Sequence, residues 1–159
     1  MGEIPVRCFS IALFILRRMQ GEVRVLVLRR RGSTQEGQWC QVAGHIEDQE
    51  PAWQTALREA REETGLALTS LWSANTCEHF YEAHRNRLTL VPVFIGWAAD
   101  NAEVVLNHEH DDYRWATFAE AATLLPFPGQ RELLGWIQRH FIEQAPTPML
   151  NIPIPPAFV

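Results

Sequence analysis

Apolar and polar positions along the chain divide into short, regular blocks. Cys8 to Arg17 is rich in Ile, Leu and Phe and predicts a strand. Gln20–Gly21 reads as a turn. From Val23 to Arg30, Val23, Val25 and Val27 alternate with Arg24, Leu26 and Leu28, which suits a mostly buried strand. Arg31 to Gly37 is polar with two glycines and predicts a loop, and Trp39 to Val42 a short strand. Leu68 to Tyr81 and Arg87 to Ala98 predict two longer strands joined by the polar stretch Glu82 to Asn86, and Asp111 to Thr117 another short one.

Helical spacing is clearest from Pro51 to Thr64. Proline suits the first turn, where its missing N–H has no intrahelical partner. Glu50 lies at the positive end of the helix dipole, and Gly65 supplies the C-terminal cap. Ala119 to Leu125 and Gln130 to Ile142 predict two more helices, separated by Pro126 and Pro128. Residues 1–145 thus predict one domain of mixed α/β (α+β) type, a sandwich built around a mixed sheet. Residues 146–159 form a tail with five prolines among apolar residues. It admits a disordered end or an arm packed on this subunit or, in a homodimer, on another; Met149, Leu150, Ile152, Ile154, Phe158 and Val159 favour the arm.

On the first helix, Glu59, Glu62 and Glu63 share a face, because positions i, i+3 and i+4 line up. Trp53, Ala56, Leu57 and Ala60 form the adjacent apolar stripe. Like charges at this spacing repel by a few tenths of a kcal/mol per pair (~0.2–0.5). Anions near a helix C-terminus are also disfavoured by the dipole. A solvated acidic face is the simpler reading of such a cluster. A divalent cation would remove both penalties, and oxygen-only ligands suit Mg²⁺ or Mn²⁺.

The fixed positions around this helix decide between the two. Gly44, Glu50, Arg58, Glu59, Glu62, Glu63, Gly65 and Leu66 match, without a gap, the pattern G-x5-E-x7-R-E-U-x-E-E-x-G-U, where U is a bulky apolar residue. The segment resembles the Nudix box, with Ala60 smaller than the usual aliphatic residue. The chain is similar to MutT-like members, which implies an α/β/α sandwich around a mixed sheet and a hydrolase cutting a phosphoanhydride. The resemblance implies that Glu59, Glu62 and Glu63 hold the metal, with the Gly44 carbonyl, and that Arg58 pairs with Glu50 to orient the catalytic set. His108 to Trp115 resembles a Glu-His-x-x-Tyr-x-Trp segment of several subfamilies, which makes Glu109 a further metal ligand or general base. His108 and His110 lack accompanying ligand spacing and read as parts of an acidic turn, with Tyr113 and Trp115 alternating into the core.

Substrate is less constrained. Trp39 to Glu47, Leu90 to Phe94 and Phe127 to Glu132 resemble dATP pyrophosphohydrolase-like members, which implies a (deoxy)nucleoside or pterin triphosphate as substrate. The alternative is a diadenosine polyphosphate hydrolase; those usually carry Pro-Lys-Gly-His, of which Val42-Ala43-Gly44-His45 keeps the Gly-His. A catalytically silent nucleotide-binding domain is the non-enzyme alternative, and such domains typically lose box glutamates. Arg29 and Arg31 are placed to meet phosphates. Trp39, Phe80 and Tyr81 are placed to stack on a base.

Charge and composition narrow the partners. A net charge of −5 argues against polymeric nucleic acid, so a small polyanionic nucleotide must be met by local arginines and metal. No apolar run reaches the roughly 18 residues of a membrane span, and no signal-peptide pattern is evident. Cys8, Cys40 and Cys77 lack the close pairing of a disulfide framework or zinc ribbon. A cytoplasmic location is the resulting expectation.

Overall fold

Ile11, Leu13 and Ile15 alternate with Ala12, Phe14 and Leu16, and all six are fully buried. Such a strand needs cover on both faces. In the computed structural model, which describes residues 1–159, the strands of one mixed sheet are β1 (Val6–Arg7), β2 (Ser10–Met19), β3 (Glu22–Arg30), β4 (Trp39–Cys40), β5 (Val42–His45), β6 (Leu68–Glu82), β7 (Arg87–Ala98), β8 (His110–Ala116) and β9 (Asn151–Ile152). The helices are α1 (Ala52–Thr64), α2 (Phe118–Leu124) and α3 (Pro128–Ile137), the last running on as a π turn, Gln138–Ile142. The fold is the expected α/β arrangement of a mixed sheet and three helices.

The order across the sheet is β4-β3-β2-β7-β6-β9, with β8 beside β3 and β1 beside β7. β2 runs parallel to β7 and antiparallel to β3. Its first half leaves β3 and pairs instead with β5, Ile11 opposite Gly44 and Leu13 opposite Val42. β4 pairs with the end of β3. Residues 39–45 therefore sit as a wedge in the fork between β2 and β3. The single short strand expected at Trp39–Val42 is two strands here, because the chain changes partner at Gln41.

One face of β2 packs with α2 and α3, and the other packs under α1. Ala56, Leu57 and Ala60 are buried in the second layer, as their helical stripe predicts. Each fully buried Leu, Ile or Phe contributes ~1.5–3 kcal/mol, so the two layers supply most of the driving force for folding. Gly65 ends α1 at φ +71°, donating its N–H to the Arg61 carbonyl at 2.9 Å. α2 begins one residue earlier than expected because Thr117 caps it, its hydroxyl accepting from the Glu120 N–H. Tyr113 stays exposed on the edge strand β8, while Trp115 is partly buried with Arg17 stacked on it at 4.3 Å.

The C-terminal tail lies on its own subunit. Ile152 pairs with Leu71 at the sheet edge, and Ile152, Ile154 and Phe158 pack against the α1 layer. The Phe158 ring meets Trp53 edge-on at 5.9 Å, and its carbonyl accepts from Arg61. Deleting residues 146–159 should lower stability by about 2–4 kcal/mol, the burial of three partly covered apolar side chains. Urea unfolding of the truncated and full chains checks this; equal midpoints would show that the arm adds nothing to the fold.

Candidate active site

α1 and the β5–α1 loop meet around one guanidinium. Arg58 donates from Nε to Glu50 at 3.0 Å and from Nη2 to the same carboxylate at 3.1 Å. Its Nη1 reaches Glu59 at 2.8 Å and Glu62 at 3.2 Å, and Nη2 also donates to the His45 carbonyl at 2.9 Å. Glu50 is further fixed by the Thr55 hydroxyl at 2.7 Å and the Glu47 N–H at 3.2 Å. The Arg58 guanidinium, with these donors, holds the Glu50 carboxyl down at about 2.

Gly44 makes room for the glutamates. A Cβ built there would lie 2.1 Å from the Glu59 carboxyl, so only glycine permits this approach. Glu63 is buried, 4% exposed, and its Oε2 has no hydrogen-bond partner. Burial, then the charges of Glu59 and Glu109, push its carboxyl up to about 9. Burial likewise raises Glu59, against the opposing pull of Arg58. Glu62 differs: its side chain is 56% exposed and lies along the outer flank of the helix, drawn there by Arg58. The common face read from the i, i+3, i+4 spacing is thus divided, with Glu59 and Glu63 lining a cleft and Glu62 outside its lining. The carboxylates do not converge as a ready cluster of three.

Glu109 reaches the same cleft from a distant part of the chain. The stretch after β7 crosses the C-terminal end of α1, where the Val105 N–H donates to Thr64 and the Asn107 N–H to the Glu63 carbonyl. Asn107 then accepts from the Glu109 N–H, and the Glu109 carbonyl accepts from Arg31 N–H at 2.8 Å. The orphan carbonyls of the helix end are what seat this loop.

The cleft has a volume of about 1400 Å³. Arg31, Tyr81 and Phe80 line it; Tyr81 is 56% exposed and Phe80 42%. Arg29 and Trp39 are placed elsewhere: Arg29 Nε binds Asp111 at 2.7 Å, and Trp39 is partly buried under Arg114 at 4.9 Å. Adjacent residues of a strand face opposite ways, and it is Arg30 that lines the cleft, beside a bulge in β8 at Asp111. Arg30 also opposes the rise of the Glu63 carboxyl. His110 is buried against Cys40 at 3.8 Å, with Nδ1 unpartnered, whereas His108 is exposed. Sequence reasoning missed Arg30, Thr55, Gln41 and Gln130. Only Gln41 carries a signal, as a polar residue between the core positions Cys40 and Val42.

The NUDIX domain family model matches residues 7–142. The chain belongs to the Nudix family. It is therefore a hydrolase acting on phosphoanhydride bonds. It is 27% identical over 124 residues to a bis(5'-nucleosyl)-tetraphosphatase (asymmetrical) of Caenorhabditis elegans, covering 77% of this chain and 88% of that one. Its fold matches a C. elegans Ap4A hydrolase at TM-score 0.70 and 22% identity, over 82% of this chain and 94% of the other. The E. coli dihydroneopterin triphosphate pyrophosphohydrolase matches at TM-score 0.69 and 25% identity, over 89% of this chain and 100% of that one. The curated relative bears the name of the diadenosine polyphosphate alternative, and the E. coli structure that of a pterin triphosphate enzyme. No helix is long and apolar enough to cross a membrane.

Replacing Glu50 with Gln should cost about 1–3 kcal/mol at pH 7, through loss of its charge-assisted bonds. Because the folded carboxyl titrates at about 2, below its ordinary 4.5, its contribution is full above about pH 4.5 and fades as pH falls towards 2. Urea midpoints of both proteins across pH 2–7 should therefore converge at the acid end. A Gly44→Ala protein should keep its melting temperature within a few degrees yet lose roughly a hundredfold in kcat, since the new methyl displaces Glu59. Wild-type turnover in that variant would contradict the placement.

Proposed function

We propose that the protein hydrolyses a dinucleoside polyphosphate asymmetrically, with a divalent metal held by the box glutamates. What carries the reading is a single cleft that joins Glu59, Glu63 and Glu109 to the exposed faces of Phe80 and Tyr81. Its volume of about 1400 Å³ exceeds the roughly 300–1,000 Å³ of pockets for drug-sized ligands, which leaves room for a two-nucleoside substrate. The family is typically divalent-metal dependent, and the curated relative named above is an asymmetrical tetraphosphatase.

The residues present fit Mg²⁺ or Mn²⁺. Glu63 offers a buried, unpartnered oxygen, Gly44 lets Glu59 approach the backbone, and the donors are all oxygen. Glu59 and Glu63 would hold the cation, with Glu62, Glu109 and the Gly44 carbonyl as further donors. Held there, such a cation would supply phosphate charge neutralisation and a lowered pKa for a bound water. Arg58 fixes the Glu59 carboxylate while Glu50 fixes Arg58, so the reacting geometry is prepaid in the fold. Glu109, exposed at the mouth of the cleft, takes the proton of the attacking water, Glu59 being the other carboxylate in reach of that role. Arg30 and Arg31 meet the phosphate chain. Phe80 and Tyr81 offer ring faces to a base.

A second reading, cleavage of a pterin or nucleoside triphosphate to monophosphate and pyrophosphate, is supported by full-length coverage of the E. coli dihydroneopterin triphosphate enzyme. Assays with Mg²⁺ on diadenosine tetraphosphate, dATP, dihydroneopterin triphosphate and a nucleotide sugar, with products identified, separate the two. ATP plus AMP from the tetraphosphate, at the highest kcat/KM of the panel, is the expected result; preferred release of pyrophosphate from a triphosphate would establish the second reading. Glu63→Gln should lower kcat by 10³-fold or more while the thermal transition persists. A fully active Glu63→Gln protein sinks the mechanism.

A further inference from the structure

Two glutamines lie buried in the wall of the cleft, each 5% exposed, and neither has a part in the mechanism above. Gln41 stands where the chain passes from β4 to β5, and Gln130 in the first turn of α3. Cys40 and Val42 enter the core layer under α1. Strand alternation turns Gln41 the other way, towards α3 and away from the carboxylate helix.

The orientation of the pair follows from its hydrogen bonds. The Phe127 N–H donates to Gln130 Oε1 at 3.1 Å, which fixes which end of that amide is oxygen. Gln130 Nε2 then donates to Gln41 Oε1 at 3.0 Å. Gln41 must therefore present its own NH₂ group elsewhere, and that group makes no hydrogen bond within the protein. The residue is 5% exposed, yet its Nε2 is not among the fully buried atoms left without a partner, so the open end of the amide meets the solvent of the cleft. Beside it stands Phe127, 48% exposed and also lining the cleft.

We infer that Gln41, set by Gln130, is a specificity-determining residue that donates a hydrogen bond to an acceptor on the substrate's base. Phosphate is met by charge-assisted donors, and the arginines supply those from β3 and the loop that follows it. A neutral, pre-oriented amide beside an aromatic ring suits instead the edge of a planar heterocycle, which has acceptor atoms in its plane and a face to stack. A site built to pair with such an atom rejects analogues lacking it, because the protein group is then left unsatisfied. The inference rests on the proposed reading of the cleft as a nucleotide site.

The test compares wild type with Gln41→Met, which keeps volume and removes the donor, and with Gln130→Met, which frees Gln41 to rotate. With diadenosine tetraphosphate, KM should rise about tenfold in Gln41→Met and several-fold in Gln130→Met, with kcat within twofold. The Ki of inorganic tripolyphosphate, which has no base, should stay unchanged in both. An unchanged KM in Gln41→Met, or a tripolyphosphate Ki that rises in step with KM, overturns the inference and leaves the cleft reading intact. If wild type hydrolyses no nucleotide, that reading fails, and AMP binding by calorimetry decides the inference alone: about tenfold weaker binding by Gln41→Met supports it and equal binding overturns it. If Gln41→Met does not fold, Gln130→Met carries the same comparison.

Discussion

The site depends on one guanidinium. Arg58 spends its five N–H donors on Glu50, Glu59, Glu62 and a backbone carbonyl, and its side chain is only 21% exposed. A planar fork of donors is what lets one residue bind a carboxylate with two bonds and still reach others; a lysine has neither the fork nor the reach. Without it, the glutamates of α1 would repel one another at the end of the helix where the dipole already opposes them. With it, each carboxylate takes a different environment: Glu50 held ionised, Glu62 drawn to solvent, Glu59 kept at the cleft and Glu63 buried. That division explains how four neighbouring acids serve different purposes.

The sheet sets where this hub can act. β2 changes partner from β3 to β5 halfway along its length, and the wedge so inserted carries Gly44 to Glu59 and Gln41 to the opposite wall. The crossing that follows β7 is anchored on the last carbonyls of α1, which brings Glu109 to face Glu63. Three segments far apart in sequence therefore meet because backbone groups at a strand fork and a helix end need partners.

Much of this was legible in the chain. The two-faced strand at Ile11–Leu16, the stripe of α1 and the spacing from Gly44 to Leu66 depend on local periodicity, and the structure realises each. What was not legible depends on tertiary choice. Arg29, Arg30 and Arg31 are equivalent in composition, yet Arg29 is taken up by Asp111, the extra residue of a bulge in β8, while Arg30 lines the cleft. Trp39 could stack on a base or pack under arginine, and only its strand partner decides. Glu62 shares a helical face with Glu63 by spacing, but the competing pull of Arg58 is a side-chain contact that periodicity cannot contain.

The net charge of −5 opposes a polyanionic substrate at long range, so capture must be local. Beyond about 8–10 Å the general field is screened by physiological salt, while contacts inside the cleft are not. The guanidiniums of Arg30 and Arg31 and the carboxylates of Glu59 and Glu63 line one cleft with the neutral side chains of Gln41, Phe80, Tyr81 and Phe127. Selectivity is then divided by chemistry. Charge fixes the phosphoanhydride relative to the carboxylates, whatever the base, and the uncharged wall decides which base can follow it in. On the reading proposed above, a second nucleoside adds contacts with that wall without weakening those made by the phosphates.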